Sequence, residues 1–451
     1  MRATAGVNDE RAAARAWWPS SRADACTLLA VLALVGAAVV VAAVLGATGR
    51  PVRASAAPLF GHVLPHAGPG TPLALAIAVA VVRWGPGLAA GLPWRRTLAA
   101  GWATGMAWTF ALALVDGWQR GVTERLTTGF EYLSEVPGVT DVPAMLHGFA
   151  GRIVDGTADP WTTHVAGHPP GALLVFVGLD RLGLGGGTWA AVVCVAAGSA
   201  VTVAVAVTLR ALGDEAAARA AMPFLALFPG AVWIGVSADG LFAGVAAVAL
   251  ALLASGLSRP SRWALAGGGA GLAVCAYLSY GLVLLALPAA AIVVANRGRW
   301  RCLGWAVAGA AVVAGAMTAA GFDWWQGYTL VRVRYYQGLA SVRPYSYWIW
   351  ADLAALALCA GPAAAVMVRR AVVTARTARP SPVLLCLAAA AALVAADLSG
   401  LSKAEVERIW LPFAVWLPAA AVLVPVRDRR LWLGLQAGTA LLVNHLVLTA
   451  W

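Results

Sequence analysis

Carboxylates and imidazoles crowd one stretch of an otherwise apolar chain. Residues 116–170 hold Asp116, Glu124, Glu131, Glu135, Asp141, Asp155 and Asp159 together with His147, His164 and His168. These are side-chain types that serve as general acids and bases. Hydrocarbon offers them no solvation, so between apolar segments they mark a solvated loop or a reacting surface at a membrane boundary. Two further clusters stand downstream. Ser237-Ala238-Asp239-Gly240 sets a carboxylate in a tight turn between two apolar runs, where it could cap the following helix. The stretch LSGLSKAEVERIWLPF, residues 398–413, puts Lys403, Glu405, Glu407 and Arg408 at the entry to another run. Lys403/Glu407 and Glu405/Arg408 have the i,i+4 and i,i+3 spacing of helical ion pairs. Lys403 and Arg408 are also the cations suited to a phosphate or diphosphate. Arg332, Arg334 and Arg343, among Tyr328, Tyr335, Tyr336, Tyr345 and Tyr347, offer a basic aromatic surface for a sugar or headgroup.

Local rules place these residues. The double proline of His168-Pro169-Pro170-Gly171 cannot continue a helix but can start one, so a short helix is expected from about Pro170. Its free N–H groups would face His168 and favour an anion. Asp141 is a candidate N-cap for a helix whose apolar stripe is Val142, Met145, Leu146, Phe149 and Ile153. Such a helix would lie on a membrane surface. His164 and His168 are four apart, but the prolines oppose helical geometry there. No metal ligand is assigned, and a divalent cation is left open.

The elements that must position these groups are apolar helices. The chain has 451 residues, 61% hydrophobic and 12% charged, with mean hydropathy +0.78. Runs long enough to cross about 30 Å of hydrocarbon recur near 25–47, 70–91, 97–115, 188–209, 220–236, 239–256, 263–279, 281–295, 303–320, 348–368, 383–398, 409–426 and 431–449. An all-α polytopic membrane protein with about thirteen spans is expected, and the 171–184 run is too short to add another. Trp17, Trp18, Trp94, Trp300, Trp348 and Trp350 sit where runs meet loops, as interfacial anchors do. The net charge of +12 comes from basic residues scattered in short connectors, with no nucleic-acid motif. Six cysteines without a CxxC pair predict neither a disulfide framework nor a thiol metal site. Residues 1–24 read as a polar cytoplasmic tail before a retained anchor. With the 171–184 segment kept out of the count, most Arg falls on the cytoplasmic side and most Asp and Glu outside. The long loops 116–187 and 321–347 and the 399–408 loop then face outward. No matched halves of an inverted-repeat transporter are seen.

The order of these pieces resembles the GT-C superfamily of membrane glycosyltransferases, and in pattern the protein O-mannosyltransferases and the lipid A aminoarabinose transferase. D141VPAMLHGFAGRI followed by H168PPG is similar to that family's first outer loop, SADGLF to its second acidic position, and KAEVERIWLPF to its carrier-phosphate region. The resemblance covers about 116–260, with a looser match near 399–413. Two spans precede the family's first helix, and no Asp-Glu pair stands at Asp141. The resemblance implies a GT-C-like transmembrane domain over 25–451. It implies inverting transfer of a sugar, mannose or arabinose by analogy, from a polyprenyl-phosphate donor to a cell-envelope glycan, lipid or protein acceptor on the extracytoplasmic face of the cell membrane. Asp141 is then the expected base, with Asp116 and Glu131 as rivals. His164, His168, Asp239, Lys403, Glu407 and Arg408 are the expected substrate contacts. A transporter or flippase of lipid-linked sugars is the alternative.

Overall fold

Runs of Ala, Leu and Val without charges satisfy their own backbone only as helix once water is excluded, and helix is what they form. In the computed structural model, which describes residues 18–450, the chain is 75% helical. Residues 1–17 of the expected tail, Trp17 included, lie outside the described residues. Among the described residues seven helices are long and apolar enough to cross a membrane: Arg22–Ala47, Thr71–Gly91, Trp94–Asp116, Gly187–Ala211, Ala238–Ser258, Trp300–Ala319 and Ser381–Leu398. An eighth is counted if Tyr345–Ala360 and Pro362–Thr374, which meet at 107°, form one broken span. The chain is therefore built for a lipid bilayer.

The other five expected runs are helical but shorter or interrupted, and thirteen uniform spans are not what the structure displays. Pro223 lies inside Glu215–Ala226, and Pro229-Gly230 separates it from Ala231–Ile234. Tyr280–Leu285 is a tight 3-10 segment before Ala286–Ala295. Pro412 and Pro418 divide residues 406–423 into three short pieces. Proline removes a backbone donor and clashes with the preceding turn, which is enough to break each run. Arg262–Leu278 has 17 residues. In Arg429–Leu446 two arginines, Gln436, Asn444 and His445 dilute the apolar character.

Helix Ala238–Ser258 is the axis of the bundle, with 78% of its most apolar window buried, against 11% for Arg22–Ala47 and Trp300–Ala319. The peripheral helices instead expose Leu29, Leu32, Val40, Val307 and Val312, the surface expected of lipid-facing helices. Small residues set the packing distance. A Cβ on Gly269 would stand 1.8 Å from the Ala306 carbonyl oxygen, and one on Gly309 would stand 2.0 Å from that of Ala266. Arg262–Leu278 and Leu303–Ala319 are thus in backbone contact, which any larger residue would forbid. Trp348 is 0% exposed, with its indole N–H on the Val52 carbonyl, and is a core residue rather than an interfacial anchor.

Two polar ties fix the ends. Asp24, wholly buried, accepts hydrogen bonds from Arg369 and Arg370 and fastens Arg22–Ala47 to Pro362–Thr374. Strand Gly61–Val63 pairs antiparallel with Val447–Thr449, bringing the end of the chain beside the loop after the first long helix. Replacing Asp24 by Asn leaves two guanidiniums without their carboxylate. Asp24→Asn is expected to cost about 1.5–3 kcal/mol and to lower the thermal midpoint of the detergent-solubilised protein. An unchanged midpoint would show that this tie carries no stability.

Candidate functional site

The site is built where three distant segments meet the first turn of Ala238–Ser258. Ser237 caps that helix through its hydroxyl and the Gly240 amide, so Asp239 lies in the first turn, where the helix dipole favours a carboxylate. Asp239 Oδ2 accepts from Arg408 Nη1 at 2.7 Å, across 169 residues of sequence. Arg408 Nη2 lies 3.1 Å from His164 Nε2, 244 residues away. His164 Nδ1 is 2.8 Å from Glu131 Oε1. A guanidinium has no lone pair to offer, so Nε2 must accept and Nδ1–H must donate to Glu131. The contacts fix one neutral tautomer. Glu131, His164, Asp239 and Arg408 are 4%, 6%, 4% and 7% exposed, so this is a buried relay.

Arg408 is held from a second side. Glu405 Oε2 accepts from Arg408 Nη2 at 3.0 Å, while Glu405 Oε1 accepts from Arg343 Nη1 at 3.0 Å. Burial opposes the Arg408 charge, but Asp239, Glu405 and Glu131 outweigh it and hold the group above the ordinary arginine value. Burial likewise opposes the Glu405 charge, and Arg408 and Arg343 overcome it, keeping the carboxyl below its usual range. The turn that delivers these residues is unusual. Ala404 and Glu405 both have left-handed backbone, φ 66° and 64°, strained for non-glycine residues. Hydrogen bonds hold it there: the Lys403 amide donates to the Tyr335 hydroxyl, the Ala404 amide to Asp352, and Arg343 to the Lys403 carbonyl.

His168 adjoins the relay. Its Nδ1 bonds the His164 carbonyl at 2.8 Å, leaving Nε2 as the lone-pair nitrogen, and its ring lies against Tyr132 and Phe242. Burial pulls its pKa down to about 4, with Asp239 opposing, so the imidazole is neutral at physiological pH. Tyr132 is packed among His164, His168 and Phe176.

Other sequence-assigned residues do not join this cluster. Asp141 does cap Val142–Gly148, accepting from the Ala144 amide at 3.0 Å, but it is exposed. The stripe it starts is real, with Leu146, Phe149 and Ile153 buried. Asp116 is committed to His66, Arg120 and Arg125 at 3.0, 3.0 and 2.7 Å, and Arg125 also grips the Thr449 carbonyl. The Lys403–Glu407 pair does not form, because the left-handed turn between them destroys the helical spacing. Lys403 Nζ instead donates to the Ala340 carbonyl beside the Tyr336 ring. It is the chain's one lysine. Glu407 is fully buried, with Oε1 on the Phe60 amide at 2.8 Å. The 321–347 loop is largely the helix Trp324–Gln337, and Pro170–Arg181 forms as expected. Among the described residues no three His, Cys, Asp or Glu side chains converge as a metal site.

Tyr132 and Asp352 support the site with no local motif to mark them, and Glu405 and Arg343 carry more of it than their spacing implies. The available signal was the alternation of Glu405-Val406-Glu407-Arg408, too acidic for a connector. No family model matches the chain, and neither a curated protein nor a solved structure matches it.

Burial pushes the Glu407 carboxyl up from the ordinary 4.5 to about 7, with the Phe60 N–H bond offsetting part of the rise. An acid with a raised folded pKa stabilises fully below its unfolded pKa and loses that contribution as pH climbs through the folded one. Stability is therefore expected to fall by about 3 kcal/mol between about pH 4.5 and 7 on account of this residue. Glu407→Gln should flatten the thermal midpoint across that window. An unaltered pH profile would contradict a buried proton on Glu407.

Proposed function

We propose that this chain is an integral membrane glycosyltransferase of the GT-C type. It would move a sugar from a polyprenyl-phosphate donor to a cell-envelope acceptor, with inversion, on the extracytoplasmic face of the cell membrane. The shorter and broken helices would complete about thirteen crossings, with the N-terminus in the cytoplasm. The observation that carries this reading is the convergence of Glu131, His164, Asp239 and Arg408 in one buried relay at the start of the bundle's central helix.

Inverting transfer needs a carboxylate to accept the acceptor's hydroxyl proton as the anomeric carbon is attacked. Glu131 fits that part better than its two rivals. Asp141 is a solvated cap, and Asp116 is neutralised by its cationic partners. His164 holds Glu131 in place, Arg408 holds His164, and Asp239 holds Arg408. Negative charge grows on the departing lipid phosphate, so fixed positive groups at that position lower the barrier. Arg408 and the start of Pro170–Arg181 beside His168 are the groups at hand. The carrier tail would lie among the lipid-facing helices.

A transporter or flippase of lipid-linked sugars is the second reading. The observation on its side is Asp352, 2% exposed midway along the helix that ends in the 107° break. Sugar transfer from a polyprenyl-phosphate donor in membranes separates the two. Glu131→Gln and Asp239→Asn are expected to lose about 10²–10⁴-fold in rate, with Asp141→Asn close to wild type. Full activity of Glu131→Gln and Asp239→Asn at normal expression would sink the assignment. Movement of labelled lipid without a new glycosidic bond would establish transport instead.

A further inference from the structure

Glu405 is held as a bound ligand would be. Two guanidiniums from segments 65 residues apart converge on its carboxylate, one on each oxygen, both at 3.0 Å. Donors spaced for the two oxygens of a carboxylate also fit two oxygens of a phosphate. The arrangement is not saturated by Glu405. Arg343 is 6% exposed, and its Nε and Nη2 find no hydrogen-bond partner. Buried donors left without an acceptor are unfavourable. A third cation stands two residues before Glu405, since Lys403 Nζ rests on a carbonyl rather than a carboxylate. The backbone that inserts Glu405 is itself strained, with two successive non-glycine residues in the left-handed region.

We propose that Arg343 and Arg408 form a binding site for a phosphate or phosphodiester oxyanion, and that the Glu405 carboxylate fills this site and is displaced when the oxyanion binds. The exchange conserves the pairing of both guanidiniums. The phosphate replaces the carboxylate while Asp239 stays on Arg408. Lys403 belongs to the same turn, with its Nζ on the Ala340 carbonyl. Release of Glu405 lets the 403–406 turn relax, so binding at the site is coupled to the shape of this loop. The inference rests on the proposed function only in placing Arg408 at the reacting site, and its test does not require sugar transfer.

Binding of radiolabelled inorganic phosphate to the full-length protein in nanodiscs measures the site directly. Glu405→Gln removes the competing charge and is expected to tighten phosphate binding by about tenfold or more over wild type. Arg343→Met should abolish it. Glu405→Asp, which retracts the carboxylate while keeping its charge, should also tighten binding and serves if Glu405→Gln does not fold. Acylation of the lone lysine supplies a second readout, since bound phosphate should slow modification of Lys403 in wild type and more strongly in Glu405→Gln. Phosphatidylcholine vesicles containing phosphatidic acid, compared with inorganic phosphate, separate a lipid-borne phosphate from a free one. Protection by the vesicles alone assigns a lipid phosphate, and protection by both assigns the oxyanion itself. Folded Glu405 variants that bind phosphate no more tightly than wild type would overturn the proposal, as would unimpaired binding by Arg343→Met.

Discussion

A guanidinium cannot be buried unpaired. Arg408 is 7% exposed at the edge of an apolar bundle, and removal of such a charge from water costs several kcal/mol unless carboxylates and hydrogen bonds replace the solvent. Asp239 and Glu405 replace it on two sides, and the neutral His164 on a third. Each of these partners is then constrained in turn. His164 must offer Nε2 and donate from Nδ1, which fixes Glu131. Asp239 must stay in the first turn of the central helix. Glu405 must adopt a backbone that its side chain type does not favour. One buried charge thus dictates the positions of residues spread across more than half the chain.

The fold makes that demand affordable by separating its two tasks. Long helices with little buried surface give the protein its lipid-facing perimeter, while the proline-broken segments supply short turns that can carry charge into the bundle end. The 406–423 region could not present Arg408 and also run on as an uninterrupted span. Its prolines leave Val406–Ile409 as a single turn, free to tilt into the site. Ion pairs away from the site tie segments together. Asp24 with Arg369 and Arg370, and Asp116 with its basic neighbours, bind one segment to another.

Much of this was legible in the sequence. Composition and run length disclosed the helical membrane class, and the capping rule placed Asp141 and its amphipathic stripe. The double proline marked the start of Pro170–Arg181. What failed to show was long-range pairing. Helical spacing predicted Lys403–Glu407, but the left-handed Ala404 and Glu405 cancel that periodicity, and only the Glu405–Arg408 half survives. Arg343 looked like one of several interfacial arginines, because nothing local reveals that its side chain reaches a turn 60 residues onward. The thirteen expected runs are not thirteen continuous helices for a related reason. Hydropathy counts apolar residues, whereas helix continuity depends on the prolines between them.

The site depends on Glu131, His164, Asp239 and Arg408 acting as one coupled unit. A double-mutant cycle on the thermal stability of Glu131→Gln and Arg408→Met tests it, because these two side chains communicate through His164. A coupling energy above about 0.5 kcal/mol is expected for members of one buried network. Strict additivity of the two substitutions would contradict the relay and, with it, the site built upon it.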